Sequence, residues 1–202
     1  MQRMTKIFWL SLLLSQHIFI IGLPLFIQLV AYLHPAVVVV MWICVTALTF
    51  FSVFFVRGET IPLSRPLFRW VLIMYTIGLL ILLFFRPNNQ DYSSWNVIPF
   101  QTIAFYFTGA VSPLVAFYNL AANIGLFVPH GIYLMQKNKE GSLHAWLLVI
   151  LPSVAILGIE TTQRLTNRGT FDIDDFILNM AGVLIGYWVY PLFTKVINLN
   201  KR

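Results

Sequence analysis

Leu67-Phe-Arg69-Trp-Val-Leu-Ile-Met-Tyr-Thr-Ile-Gly-Leu-Leu-Ile-Leu-Leu-Phe-Phe85 runs for nineteen residues with one charge, Arg69, near its start. A continuous apolar stretch of that length spans the hydrocarbon of a bilayer as a helix. Similar runs recur along the chain, giving candidate spans at about 7–33, 36–56, 67–85, 114–135, 144–164 and 174–194. The runs are continuous and lack period-2 alternation, which argues against a spanning barrel. Helices satisfy their own backbone hydrogen bonds in lipid. The expectation is therefore an all-α, polytopic membrane bundle of about six transmembrane helices, one transmembrane domain over residues 1–202.

Composition agrees. Of 202 residues, 59% are hydrophobic and 10% charged, against about 25% charged in a soluble domain. Mean hydropathy is +0.81. Arg3 and Lys6 precede the first apolar run as they would in a signal peptide. That run is too long for a signal peptide and has no small-x-small cleavage site in place, so it reads as a retained helix. The single cysteine, Cys44, sits in an apolar stretch and reads as a packing residue. Leu33-His34-Pro35 is expected to turn between the first two spans.

Basic residues set the expected orientation. With the N-terminus inside, the cytoplasmic side holds Arg3, Lys6, Arg57, Arg65, Arg69, Lys137, Lys139, Lys195, Lys201 and Arg202, and the outer side holds Arg86, Arg164 and Arg168. Ten against three implies both termini in the cytoplasm. The net charge of +6 then reads as a topology signal and a contact with anionic membrane lipids. The charges are scattered rather than gathered, so nucleic acid is not an expected partner.

Against this oily background, four of the seven carboxylates fall in one window: Glu160, Asp172, Asp174 and Asp175. Acidic groups at a membrane edge are costly unless they face a polar cavity, a partner or water. Asp175, Asn179, Gly182 and Gly186 form one stripe on the last span, at i, i+4, i+7 and i+11. The glycines admit a close neighbouring helix. Asp172 suits an N-cap, and Asp174 and Asp175 suit the positive end of the helix dipole. Glu160 and Gln163 share a face at i, i+3, with Arg164 placed for an ion pair to Glu160. Arg168 either neutralises its acidic neighbours or offers a fork to a phosphate or carboxylate. Asn119 and Asn123 share a face of the fourth span and read as interhelical glue or as site groups. Asn96-Val-Ile-Pro-Phe100-Gln101 mixes apolar and polar residues and reads as an interfacial or re-entrant piece. The expected topology gathers these groups on the extracytoplasmic face. His17, His34, His130 and His144 have no metal-ligand spacing, the carboxylates match no known cation loop, and no metal is expected. The sequence names no cofactor.

Asn96-Val-Ile-Pro-Phe100, Asn119-Leu-Ala-Ala-Asn123-Ile-Gly-Leu-Phe127-Val-Pro129-His-Gly131, Glu160-Thr-Thr-Gln163 and Arg168-Gly-Thr-Phe-Asp172-Ile-Asp174-Asp175-Phe-Ile-Leu-Asn179-Met-Ala-Gly182-Val-Leu-Ile-Gly186 together resemble the VanZ-like membrane protein family. The resemblance covers about residues 86–194, with three further helices before it over 7–85. His130 departs from the family, which often has an apolar residue there. The family takes its name from a protein associated with low-level resistance to teicoplanin, a lipoglycopeptide that binds cell-wall precursors. The resemblance implies a bacterial cytoplasmic membrane protein with an envelope role.

Three readings follow. In the first, the protein lowers teicoplanin susceptibility at the outer face. Arg168 engages an anionic headgroup, and an apolar groove beside Gly182 and Gly186 takes an acyl or isoprenoid chain; the partner is a lipid-linked cell-wall precursor or the drug. In the second it is a membrane-embedded hydrolase or transferase acting on such a precursor. Glu160 is then general acid or base, and Asp174 or Asp175 orients water or a metal. Asn123 and Asn179 position the polar group, and Arg168 stabilises developing negative charge. The third, a transporter, is disfavoured by the lack of inverted repeats and of paired broken helices.

Overall fold

A computed structural model describes residues 2–29, 36–84 and 95–200. The Leu33–Pro35 turn, Arg86, Lys201 and Arg202 lie outside the described residues. The elements, in order, are α1 (Gln2–Leu29), α2 (Ala36–Arg57), β1 (Ile61–Ser64), α3 (Arg65–Phe84), β2 (Trp95–Asn96), α4 (Gln101–Phe107), α5 (Pro113–Lys139), α6 (Leu147–Leu165), β3 (Phe171–Asp172), α7 (Ile173–Val196) and β4 (Ile197–Asn200).

Five helices, α1, α3, α5, α6 and α7, are long and apolar enough to cross a membrane. The remaining expected span falls on α2, whose Met41–Arg57 stretch counts as a shorter apolar helix. The protein is thus a helical, multi-pass membrane protein by length and hydropathy. Two short parallel strand pairs, β1 with β4 and β2 with β3, join segments far apart in sequence.

The chain divides into two compact units. One contains α1, α2, β1, the end of α7 and β4. Its core is Ile7, Phe54 and Val196, flanked by Met4, Phe50, Phe51, Val53, Ile61 and Ile197. Ser11 and Ser15, fully buried on α1, donate to the carbonyls of Ile7 and Leu12 on their own helix at 2.8 Å each. Each hydroxyl is thereby satisfied without a partner helix. Arg3 and Glu59 form an ion pair at 3.1 Å.

The second unit, Arg65–Pro191, carries the acidic window. Its core gathers Leu79 and Leu83 of α3, Phe127 of α5, Ile156 of α6 and Val183 of α7. Helices α5 and α7 meet backbone to backbone. A Cβ on Gly182 would overlap the Ile124 carbonyl oxygen, one on Gly186 that of Val128, and one on Gly131 that of Val183. Gly182 and Gly186 have the small-xxx-small spacing that lets spanning helices approach this closely. The space beside these glycines is filled by α5. The apolar groove expected there for an acyl or isoprenoid chain is therefore not open.

His130 packs between the rings of Tyr75 and Phe127, at centroid distances of 5.7 and 5.6 Å. Its Nε2 lies 3.0 Å from Thr76 Oγ1, and that hydroxyl also donates to Leu72 O at 2.8 Å. The Thr76 hydroxyl and the His130 imidazole are hydrogen-bonded to each other. His130 thus ties α5 to α3 through a hydrogen bond that an apolar residue would not make.

At the opposite end of α5 from the acidic window, Glu140 accepts from Gln136 Nε2 at 2.8 Å and pairs with Lys137 and Arg65 at 3.1 Å each. Tyr190 donates to Gln136 Oε1 at 2.6 Å, which brings α7 into the cluster. The Gln136 hydrogen bond, helped by the Lys137 and Arg65 charges, outweighs desolvation and holds the Glu140 carboxyl below the ordinary glutamate range. A carboxyl depressed in the folded state adds stability that is present above its unfolded pKa and lost as pH falls through the folded one.

Two predictions follow from this packing. Gly182→Ala should destabilise the protein by about 1–3 kcal/mol through overpacking, whereas Gly158→Ala, where nothing lies within 4 Å, should be neutral or gain up to about 1 kcal/mol. Thermal unfolding of both in detergent, followed by circular dichroism, checks this; equal stability at the two positions contradicts the close α5–α7 contact. On acidification below about pH 4, the usual glutamate range, wild type should lose stability more steeply than Glu140→Gln. Parallel pH dependences would remove Glu140 as the cause.

Candidate functional site at the α7 N-terminus

The end of α6 prepares the site. Asn167 takes the left-handed conformation at φ 54. The Arg168 N–H then reaches Gln163 O at 2.8 Å, and the Asn167 N–H reaches Arg164 O at 3.3 Å. This is a Schellman closure, with asparagine in the place glycine usually takes. It folds Gly169 against the Gln163 side chain, where an added Cβ would stand 3.3 Å from Gln163 Cβ. Gln163, 3% exposed, donates to Leu83 O at 3.0 Å. It thereby satisfies a carbonyl in the last turn of α3, which has no partner within its own helix. Glu160, one turn earlier, is also 3% exposed.

From there the chain enters β3, which pairs with β2 in the register Trp95 to Phe171 and Asn96 to Asp172. The Trp95 and Phe171 rings stand 5.2 Å apart, and the Arg164 guanidinium lies 5.5 Å over Trp95. This pairing sets Asn96 beside Asp172. Asp172 Oδ1 accepts from the Asp174 N–H at 2.9 Å, which makes it the N-cap of α7, and from Asn96 Nδ2 at 3.0 Å. Its Oδ2 accepts from the Thr102 hydroxyl at 2.6 Å. Asn96 also donates to Thr102 Oγ1 at 2.9 Å and accepts from the Ile98 N–H at 3.2 Å.

Asp174 is fully buried. Its Oδ1 accepts from the Phe100 N–H, and its Oδ2 accepts from the Thr102 and Ile103 N–H groups at 2.7 and 3.0 Å. These donors belong to the start of α4, whose own N-cap, Phe100, gives no side-chain hydrogen bond. A carboxylate on one helix therefore caps another, over seventy residues away in sequence. Phe100 sits at φ 66, a conformation rare for a bulky residue, and the Asp174 contact to its N–H holds it there.

Asp175 accepts from Asn123 Nδ2 at 2.6 Å, linking α7 to α5. Asn179, on the next turn, is 5% exposed. Asn119 turns instead to its own helix, donating to Val115 O at 2.8 Å. The structure thus joins Asn96, Asp172 and Asp174 into one network and Asn123 with Asp175 into another. Gln163 on α6 bonds to the end of α3, Arg168 lies in the loop after α6, and Gly182 and Gly186 lie in the α5 contact. Thr102 and the first N–H groups of α4, central to the network, were not foreseen. The available signal was the lack of a capping residue ahead of Gln101. Among the described residues, no group of three or more His, Cys, Asp or Glu is arranged to hold a metal ion.

The VanZ/LLP1 family model matches residues 36–194. The chain belongs to the VanZ/LLP1 family. The match begins at α2, ahead of the sequence blocks that carry the resemblance, and takes in the whole network. No curated protein and no solved structure matches the chain.

In this family member, Asp174→Asn keeps the size of the side chain but gives a neutral group with one acceptor oxygen where the carboxylate has two. At least one backbone N–H of α4 then loses its partner, at about 2–4 kcal/mol for a buried, charge-assisted contact. Asp175→Asn, at a half-buried position where the carboxylate accepts from Asn123, should lose about 1 kcal/mol. Unfolding of the two variants in detergent tests the ranking, and a reversed order would contradict the cap.

Proposed function

We propose that this protein is an extracytoplasmic-facing envelope protein of the bacterial cytoplasmic membrane that lowers susceptibility to teicoplanin, through a polar site near lipid-linked cell-wall precursors. Family membership supports the envelope assignment. The positive-inside distribution of basic residues supports the face. The observation that carries the site is the Asn123–Asp175 hydrogen bond, which joins α5 to the first turn of α7 next to the Asp172 and Asp174 network. Arg168, half-buried in the loop between α6 and α7, is the group suited to an anionic headgroup. Asp172 and Asp174 support this site by holding its backbone, and Glu160, Gln163, Asn179 and Asn119 are its further candidate groups.

A second reading, a hydrolase or transferase acting on the lipid-linked precursor, draws support from Glu160, a carboxyl 3% exposed near the end of a spanning helix. Glu160 would be the general acid or base. Asp174, engaged by three backbone N–H groups, is poorly placed to orient water or a metal, so this reading rests on Glu160 with Asp175.

The test is the teicoplanin inhibitory concentration of a Gram-positive host carrying empty vector, wild type, Arg168→Ala or Glu160→Gln, with membrane levels matched by blot. Wild type should raise the value. Arg168→Ala should lose most of the rise, since a lost charge-assisted contact of about 1.5 kcal/mol is roughly tenfold in affinity. Glu160→Gln should keep the effect in the binding reading and abolish it in the enzymatic one. No rise with wild type would overturn the teicoplanin assignment.

A further inference from the structure

The segment that Asp172 and Asp174 hold, residues 95–107, has an unusual outer side. Val97, Ile98, Phe100 and Phe107 are 64, 60, 61 and 78% exposed, and Trp95 and Phe105 are about half exposed. Its polar side chains at Asn96 and Thr102 are turned inward to Asp172. Apart from the exposed Gln101, the segment is thus sided, with Asn96 and Thr102 on the protein and most of its large apolar groups away from it.

Three observations say what lies against the apolar side. The first is charge. From Tyr92 to Ser112, ahead of the spanning helix α5, the chain has no Asp, Glu, Lys or Arg, although a soluble domain ordinarily carries them in about one position in four. The second is attachment. α4 ends at Phe107 and the spanning helix α5 starts at Pro113, while the Asp172 and Asp174 contacts fasten the segment to the first turn of α7, another span. The segment therefore lies at the ends of two spanning helices, where their lipid-facing surface begins. The third is backbone chemistry. Water would satisfy the free N–H groups at the start of a short surface helix. Here a fully buried carboxylate accepts those of Phe100, Thr102 and Ile103. Non-helical backbone is tolerated at membrane depth where protein groups satisfy it in this way.

We propose that residues 95–107 form an interfacial element whose apolar side sits among the acyl chains of the leaflet at the end where α5 begins, anchored on the protein side by Asp172 and Asp174. The occupant is lipid, and the element is a short counterpart of helices that lie in the membrane plane. Trp95 fits this placement, since its ring is partly exposed and carries the Arg164 guanidinium on its face. Aromatic residues with a polar neighbour favour the headgroup level. The inference is independent of any action on teicoplanin.

Spin labels test it. In a Cys44→Ala background, Val97→Cys, Ile98→Cys and Phe107→Cys are labelled singly and the full chain is reconstituted into phosphatidylcholine–phosphatidylglycerol vesicles. Collisions with oxygen, concentrated in lipid, are compared with those of a water-soluble nickel chelate. Val154→Cys on α6 is the lipid reference and Ser142→Cys in the α5–α6 loop the water reference, both exposed positions. The expected result is an oxygen-to-nickel ratio at 97, 98 and 107 near that of position 154. A ratio near that of position 142 overturns the proposal by placing the segment in water. Low collision with both reagents also overturns it, because protein would then cover the face. Bromolipid quenching of Trp95, taken as the difference between wild type and Trp95→Phe, repeats the test without a label; absence of quenching counts against the proposal.

Discussion

An N–H group without a partner in lipid costs several kcal/mol, and this constraint shapes the second unit around one carboxylate. Helix α4 begins after Pro99 and Phe100, neither of which has a side-chain acceptor to give its first turn. Asp174 supplies both oxygens from across the fold. The contact is favourable at its other end as well, because Asp174 lies in the first turn of α7, where the helix dipole favours negative charge. One buried anion is therefore stabilised by the N-terminal ends of two helices. That removes the usual objection to burying a carboxylate without a cation.

Position follows from this contact. Asp174 is aimed at α4 because Asp172 caps α7 and fixes its first turn, and Asp172 is fixed because β3 pairs with β2. The glycine contact sets the other end of the lever. With Gly182 and Gly186 against Ile124 and Val128, α7 is pressed close to α5, and Asp175 comes within hydrogen-bond reach of Asn123. A larger residue at either glycine would move α7 outward and stretch that bond first. Packing in the apolar middle of the unit thus governs polar geometry at its end.

The spanning helices were legible because their signal is local. A run such as Leu67–Phe85 declares itself by length and composition, whatever it packs against. Asp172 was legible as a cap for the same reason, since its partner is two residues away. Asp174 was not. Its partners are the backbone N–H groups of 100, 102 and 103, which carry no mark in the sequence, and reaching them requires the β2–β3 pairing. That pairing is two residues long and parallel, too short for a periodic pattern. The β1–β4 pairing, four residues long, likewise joins segments far apart in sequence. The groove expected beside Gly182 and Gly186 was a misreading of a true signal: small residues do mark close approach, but the approaching object was a helix, and it left no room for a lipid chain. Asn119 and Asn123 share a helix face, yet one serves Val115 and the other Asp175, a difference decided by which of them lies opposite α7.

A cluster of carboxylates at a membrane edge invites a catalytic reading, and the contacts here divide the cluster by physical role. Asp172 and Asp174 accept five hydrogen bonds from backbone N–H groups and side chains of their own unit, apart from the Thr102 hydroxyl bond that makes a sixth. Groups so engaged are poor ligands for a substrate, because binding would have to break contacts that hold α4. Asp175 is half-buried and accepts from the Asn123 amide, which ties it to α5. Arg168 lies in a loop whose backbone is closed by the Schellman bonds. Under the proposed binding role, a ligand would meet Arg168 and the Asn123–Asp175 pair beside the frame that the other two aspartates hold. In this arrangement the most buried acid in the window, Asp174, holds the start of α4.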